Sequence, residues 1–417
     1  TVTLVQADLT AGFVTTTYTA PADGGTLTVT AKLQDGPGNA TPNSASDAAT
    51  LDITAPLTTL TIDAISDDTG ANSTDFITND NNGLTIAATL SAALSTGEKL
   101  WYSKDNGTTW VDITSSVTGT AVSHADSALT TTCTIQMRVG DAANNYGAAA
   151  TQRIAIDTSA GTDENGSPDA NTIATVTITA ITDDTGVSTT DFITTDAGLV
   201  YSGTVSNFTA NGGAVRLELK DSTGHVLDTI FVTPSSNAWS WTDTNTARAD
   251  GNYTLVATVV DKANNRVNVG AQGQASQIIT IDTDGGSNTD HTNGSSTPQT
   301  DGNTTASVSI DAITTDSGVS GSDFITSDAS LIYSGAVAGF TDNGDVVKLE
   351  LKNASGTVIS STFVTPVSNV WTWDDTGVTR SSGNYTLVAT IVDIAGNAVT
   401  GATTDTQVVT IDTDGAK

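Results

Sequence analysis

Residues 174 to 283 and 306 to 413 of this 417-residue chain match nearly position for position. They share DFIT, YSG, LELK, IFVTP or TFVTP, WSW or WTW, GNYTLVAT and a closing TIDTD. A copy of about 110 residues is long enough to bury a core of its own, so the repetition predicts a string of similar domains. Within a copy, TVTITAI (175 to 181), VRLELK (215 to 220) and YTLVATVVD (253 to 261) alternate with the period of half-buried strands. Thr, Val, Ser, Asp and Gly are plentiful while Leu, Lys, Glu and Arg are scarce, which argues for strands and turns and almost no helix. About seven strands in roughly 110 residues predict an immunoglobulin-like sandwich. The expected fold class is all-β: tandem immunoglobulin-like Greek-key β-sandwiches forming an elongated rod.

Residues 56 to 158 read as a more distant copy, in which Asp105, Asn106 and Gly107 suit a tight hairpin turn. Residues 1 to 55 align only with the second half of a unit, through GGTLTVTAKLQDGPGN and LDIT. A half sandwich cannot cover its inner face, so the expectation is a chain cut from something longer; a complete first domain of unusual topology is the competing reading. The domains expected are therefore 1–55 (partial), 56–158, 159–283 and 284–417, the last two opening with linkers. The linkers, TSAGTDENGSPDANTI and TDGGSNTDHTNGSSTPQTDGNTT, have the composition of flexible coil.

The copies also share an acidic loop: DDTGANSTDFITND at 67 to 80, DDTGVSTTDFITTD at 183 to 196 and TDSGVSGSDFITSD at 315 to 328. The chain carries 46 acidic against 14 basic residues, a net charge of -32, and the acids are 42 Asp and 4 Glu. Such a balance makes nucleic acid and anionic membrane surfaces poor partners. Asp is the short carboxylate favoured in turns and by hard cations. An isolated Asp usually caps a turn, but three or four at one spacing, three times over, point to bound calcium. A second acidic motif recurs in the predicted F–G turns, as Asp35 with Asn39, Asp141 with Asn145, Asp261 with Asn265 and Asp393 with Asn397.

In a Greek-key sandwich the first-strand loop and the chain exit share one pole and the F–G turn occupies the other. Each acidic loop should thus lie beside its own closing TIDT, where the next domain brings its F–G turn. The candidate calcium ligands are Asp67, Asp68, Asp75 and Asp80 in the second domain, with Asp141 and Asn145. In the third they are Asp183, Asp184, Asp191 and Asp196, with Asp157, Asp169, Asp261 and Asn265 at its upper end. In the fourth they are Asp316, Asp323 and Asp328, with Asp282, Asp284, Asp393 and Asn397. Thr315 replaces an Asp, so that site should bind more weakly or use Thr oxygen. Two sites per domain are expected. Magnesium prefers fewer carboxylates and more water, and zinc lacks partners because His124, His225 and His291 stand far apart.

The single cysteine, Cys133, forbids an intramolecular disulfide and reads as a small buried hydrophobe. No apolar run is long enough to span a bilayer, and no basic-then-apolar amino-terminal signal is present. The pairs Trp239 and Trp241, and Trp371 and Trp373, each point to one face of a strand and read as core rather than as a sugar-stacking platform. No nucleophile, base and acid grouping repeats, so no catalysis is expected.

The DDTG…DFITxD loop, the Asp-x-[Ala/Pro]-[Asn/Gly]-Asn turn and the closing IDT together resemble the bacterial Ig-like repeats of giant type I-secreted non-fimbrial adhesins, the SiiE and BapA group. The resemblance covers residues 56 to 417 well and the first 55 partly. It implies a secreted or cell-surface adhesin segment, stiffened by calcium between neighbouring repeats, that serves binding to host-cell glycans or to other bacteria. The alternative expectation is a carbohydrate-binding accessory module of an exported enzyme, which would need exposed aromatic side chains on a flat face.

Overall fold

The computed structural model of the chain describes residues 2–414 apart from 43, 244–246, 269, 286, 289–298, 301–302 and 343. The chain divides into two compact units, Thr1–Thr158 and Ser159–Lys417.

The second unit contains two repeats, each a sandwich of a three-stranded and a five-stranded sheet. In the third repeat Thr175–Ile181, Val200–Ser206 and Ala238–Thr242 form the smaller sheet. Ile193–Thr194, Gln274–Ile281, Gly251–Val260, Ala214–Lys220 and Val226–Val232 form the larger, in that order. The fourth repeat has Ser307–Ile313, Ile332–Ala338 and Val370–Asp374 against Ile325–Thr326, Thr404–Ile411, Gly383–Val392, Val346–Lys352 and Val358–Val364.

Period-2 patterning decides which face is inside. Val215, Leu217 and Leu219 are fully buried, whereas the intervening Arg216, Glu218 and Lys220 keep part of their surface. The core joins Val176, Tyr201 and Trp239 of one sheet to Leu217, Leu255 and Ile279 of the other. All four paired tryptophans are buried, as read from the sequence. Trp239 donates its indole N–H to the Thr177 carbonyl at 3.1 Å, and Trp371 does the same to Ser309 at 3.0 Å. The glycine of YSG makes room for that ring: a Cβ on Gly203 would lie 2.3 Å from Trp239 and 2.0 Å from the Thr177 oxygen.

Each first strand changes sheets. After Ile181 the chain crosses over the pole and returns as Ile193–Thr194, parallel to Thr280 and Ile281 of the last strand. Ile325 and Thr326 pair with Thr410 and Ile411 in the same way. The acidic loop is that crossover, and so it lies beside the closing TIDT.

In the first unit, residues 60 to 156 repeat this plan. Leu60–Ile65, Leu84–Leu90, Ala121–Asp126 and Val117–Thr118 face a five-stranded sheet whose edge, Ile77–Thr78, runs parallel to Ala150–Ile156. Cys133, read from the sequence as a small buried hydrophobe, packs against this core half-buried, and burial raises its thiol pKa. Residues 2 to 55 form one hairpin, Thr26–Ala31 with Ala45–Thr50, and one short helix, Gln6–Ala11, and none of the described residues there is buried.

The first linker differs from the coil its composition suggests. Asp163 closes a turn in which its amide donates to Ser167 at 2.7 Å, and Lys262 reaches Glu164 at 2.7 Å. Asn171, fully buried, accepts the Thr209 amide at 2.7 Å. These are tertiary partners that composition cannot reveal. In the second linker Ser287–Asn288 pairs with Gln299–Thr300, and residues 289–298 lie outside the described ones.

Candidate metal centre

The crossover loop has one geometry in all three repeats. Its first residue takes a left-handed backbone, with φ of 53° at Asp67, 51° at Asp183 and 56° at Thr315. Its carbonyl accepts the hydroxyl of Thr78, Thr194 or Thr326 at 2.5 to 2.6 Å. Thr315 therefore does the same backbone work as the two Asp residues it aligns with. The Phe of DFIT also has positive φ, 61°, 65° and 61° at Phe76, Phe192 and Phe324, and each ring is buried. A bulky side chain pays for that conformation with strain, of order 1–3 kcal/mol, which core burial offsets.

The second Asp of the loop lies deepest. Asp68, Asp184 and Asp316 each accept the Phe amide on Oδ2, at 3.0, 3.1 and 3.0 Å. Oδ1 is buried in all three, and no hydrogen-bond donor reaches it among the described residues. Asp75, Asp191 and Asp323 accept the amides of Ile77, Ile193 and Ile325 at 3.1, 3.1 and 3.2 Å. Burial raises the pKa of Asp68 and Asp184, and the facing carboxylates of Asp75 and Asp191 add to it. Asp80, Asp196 and Asp328 instead cap turns, accepting the amides of Asn82, Gly198 and Ser330.

The F–G turns are closed by their own side chains. Asn397 donates its amide N–H to Asp393 Oδ1 at 2.9 Å and its Nδ2 to Oδ2 at 3.0 Å. Asn145 with Asp141 and Asn265 with Asp261 make the same two bonds. Both carboxylate oxygens thus have N–H donors, and the turn closes without an ion.

The structure brings the fourth repeat's turn onto the third repeat's loop and exit strand. Asn397 Nδ2 donates to the Asp282 carbonyl at 2.9 Å, the Val187 amide to the Ile394 carbonyl at 3.1 Å and Thr185 Oγ1 to the Ala395 carbonyl at 3.2 Å. At this joint carboxylate oxygens of Asp250, Asp282 and Asp284 lie within 4.8 Å of one another. Asp250 escaped the sequence reading because ADG reads as an ordinary turn; its Oδ1 accepts the Thr283 amide and hydroxyl at 3.1 and 2.7 Å. Asp169 accepts the Asn171 amide at 2.7 Å and so anchors the linker end. Asp157 belongs to the first unit, where its amide donates to the Thr78 carbonyl at 2.8 Å.

A family model for the bacterial Ig-like domain matches residues 172–283 and 303–413, more than half of the chain. The chain belongs to that family. Comparison with curated proteins returns no match. Among solved structures, the chain is similar to a tetra-tandem repeat in the extending region of a large adhesion protein. That match has 20% identity, covers 94% of this chain and 83% of that one, and has a TM-score of 0.19. The FN1–FN3 domains of chicken CNTN1 match at 10% identity over 80% of this chain and 96% of that one, with a TM-score of 0.29. A BSP domain of a biofilm associated protein matches at 10% identity over 80% and 64%, with a TM-score of 0.18.

These bacterial Ig-like repeats offer oxygen ligands at two places. The loop pairs, Asp68 with Asp75 and Asp184 with Asp191, have an unsatisfied oxygen and mutual repulsion, both of which a hard cation relieves. The Asp250, Asp282 and Asp284 group supplies a second set. No helix among the described residues is long and apolar enough to cross a membrane.

Proposed function

We propose that this segment is a stalk of a secreted or cell-surface bacterial adhesin, in which calcium held at the crossover loops and repeat joints stiffens the array for attachment to host-cell glycans or other bacteria. The observation that carries the reading is the buried, unpartnered Oδ1 of Asp68, Asp184 and Asp316, present at one place in three repeats. A buried carboxylate oxygen without a donor costs folding free energy, and a divalent ion would turn that cost into attraction.

Extracellular calcium modules bind at about 10⁻⁴ to 10⁻³ M, so millimolar calcium outside a cell would fill such sites. The ion would join residues of one repeat to the strand that leads into the next. The carbohydrate-module alternative asks for exposed aromatic platforms, and the burial of Trp239, Trp241, Trp371 and Trp373 speaks against it.

Solution scattering with calcium and with a chelator tests the reading. Chelation should broaden the distance distribution of the particle; superimposable profiles would remove the stiffening role.

A further inference from the structure

The larger sheet of the second repeat carries an arginine that the protein leaves without an acid. Arg138 alternates with the buried Met137 and Val139 and so lies on the solvent side of that sheet, half-buried. Its guanidinium is stacked between two rings, with the central carbon 3.9 Å from the centroid of Trp110 and 3.8 Å from that of Tyr146. Trp101 stands edge-on to Tyr146, at 6.2 Å and 80°. The rings take the two faces of the guanidinium and leave its in-plane N–H groups, the ones that hold a carboxylate bidentately. Nε is buried without an acceptor, and none of the described residues accepts from the terminal nitrogens. Elsewhere the arginines are matched: Arg216 to Glu218 and Asn264, Arg248 to Asp243, Arg380 to Asp375, and Arg266 to two backbone carbonyls. In a chain of net charge -32, Arg138 is not unmatched for want of acids.

The fold does not require this arrangement, because the two later repeats are built without it. Strand register places Thr258, Arg216, Val260 and Arg266 of the third repeat where Arg138, Trp101, Gly140 and Tyr146 stand in the second. In the fourth the same places hold Thr390, Lys348, Val392 and Ala398. Two glycines are fitted to the cluster. A Cβ on Gly140, such as Val260 and Val392 carry, would lie 2.7 Å from the Tyr146 ring and 3.0 Å from Trp101 Nε1. One on Gly107 would lie 2.7 Å from Oε1 of Gln136, whose Nε2 donates to Asn106 at 2.9 Å beside the arginine. The neighbouring Lys99 is already paired with Asp112 at 2.8 Å, so Arg138 is the uncompensated charge of the cluster.

We propose that this face of the second repeat binds a saccharide bearing a single carboxylate, which the Arg138 fork holds while the sugar ring packs on the surrounding aromatic side chains. Trp101 and Trp110, the two tryptophans outside the buried pairs, are half-buried here, grouped around a guanidinium rather than laid out as an open stacking platform. Aromatic rings and amide side chains next to a fork suit the apolar face, hydroxyls and acid of such a sugar. An extended acidic peptide would add to a strand edge, and the edge beside this face, Val111–Asp112, is only two residues long. The net charge of -32 opposes a densely charged polyanion, so an isolated acid on an otherwise neutral glycan is favoured. The inference deepens the attachment part of the proposed function. It uses no residue of the crossover loops, so it stands apart from the calcium reading.

The full chain, labelled with nitrogen-15 on its six tryptophans, is titrated in chelator with sialyllactose and separately with a glucuronate-terminated disaccharide. The indole signals of Trp101 and Trp110 should shift saturably with a Kd of about 1 mM for at least one of them, and the sugar bound more tightly identifies the source of the carboxylate. The signals of Trp239, Trp241, Trp371 and Trp373 should stay in place. The methyl ester of the same sugar, which removes the charge without touching the protein, should bind about tenfold more weakly or worse. Arg138→Lys, which keeps the charge and removes the fork, should weaken binding by a similar factor. Shifts at neither indole overturn the proposal. So does binding of the ester or of neutral lactose as tight as that of the acid, and so does tighter binding of triglutamate, which would make the cluster a site for acidic peptides.

Discussion

Asn397 of the fourth repeat donates its side-chain amide to the main-chain carbonyl of Asp282 at the exit of the third, across 2.9 Å. The same side chain closes its own turn on Asp393 at 3.0 Å. One residue thus shapes the turn and fastens it to the preceding repeat. Asn145 makes the equivalent bond to the Asp52 carbonyl at 3.1 Å. The joints carry hydrogen bonds of their own.

Asn397→Ala removes both side-chain bonds, and the fourth repeat should lose about 1–2 kcal/mol. Differential calorimetry should show a lowered transition and scattering a broader distribution. An unchanged transition would mean that water replaces the latch at no cost.

Asp184→Asn keeps the shape of the loop and removes one charge of a facing pair. Without calcium the variant should be more stable than the parent by up to about 1 kcal/mol, the low end for an unsatisfied group because the rest of the Asp184 side chain keeps some exposure although its Oδ1 is buried. With calcium the order should reverse, because the parent gains about 2.7 kcal/mol when free ion stands at 100 times its dissociation constant and the variant gains less. Melting curves with calcium and with a chelator read both signs.

The legibility of the chain in its sequence followed the range of the interactions. Alternation in VRLELK and the return of DFIT disclosed the strands and the crossover loop, because strand faces and turn chemistry are local. At the first loop position, where the sequence offers Asp67 and Asp183 as ligands, the structure adds a left-handed backbone that Thr315 shares, a feature no side-chain pattern discloses. Asp250 and Asn171 were not legible. Their partners lie 33 and 38 residues away, and nothing in the short motifs around them marks those contacts.

Gly203→Ala should cost the third repeat about 2–4 kcal/mol, since the added methyl overlaps Trp239 and the Thr177 carbonyl in a core without slack. Chemical denaturation should show a lowered midpoint, and tryptophan emission should move toward that of solvated indole. A midpoint within error of the parent would mean that the indole shifts aside freely.

His124 packs on Tyr102 at 4.8 Å between centroids, and burial lowers its pKa below 6.5 against the opposing pull of Asp126. A histidine depressed in the folded state contributes stability above its unfolded pKa and loses it as pH falls. The melting temperature of the second repeat should therefore drop below pH of about 6.5 more steeply than in His124→Gln. Parallel curves would show that the ring titrates as it does in the unfolded chain.

The central claim is that calcium sits on the orphaned oxygens of the crossover loops. An anomalous difference map from crystals grown in millimolar calcium tests it most directly. The account predicts peaks about 2.3–2.6 Å from Oδ1 of Asp68, Asp184 and Asp316, with a further peak among Asp250, Asp282 and Asp284. Well-ordered loops with no peak at those oxygens would contradict it.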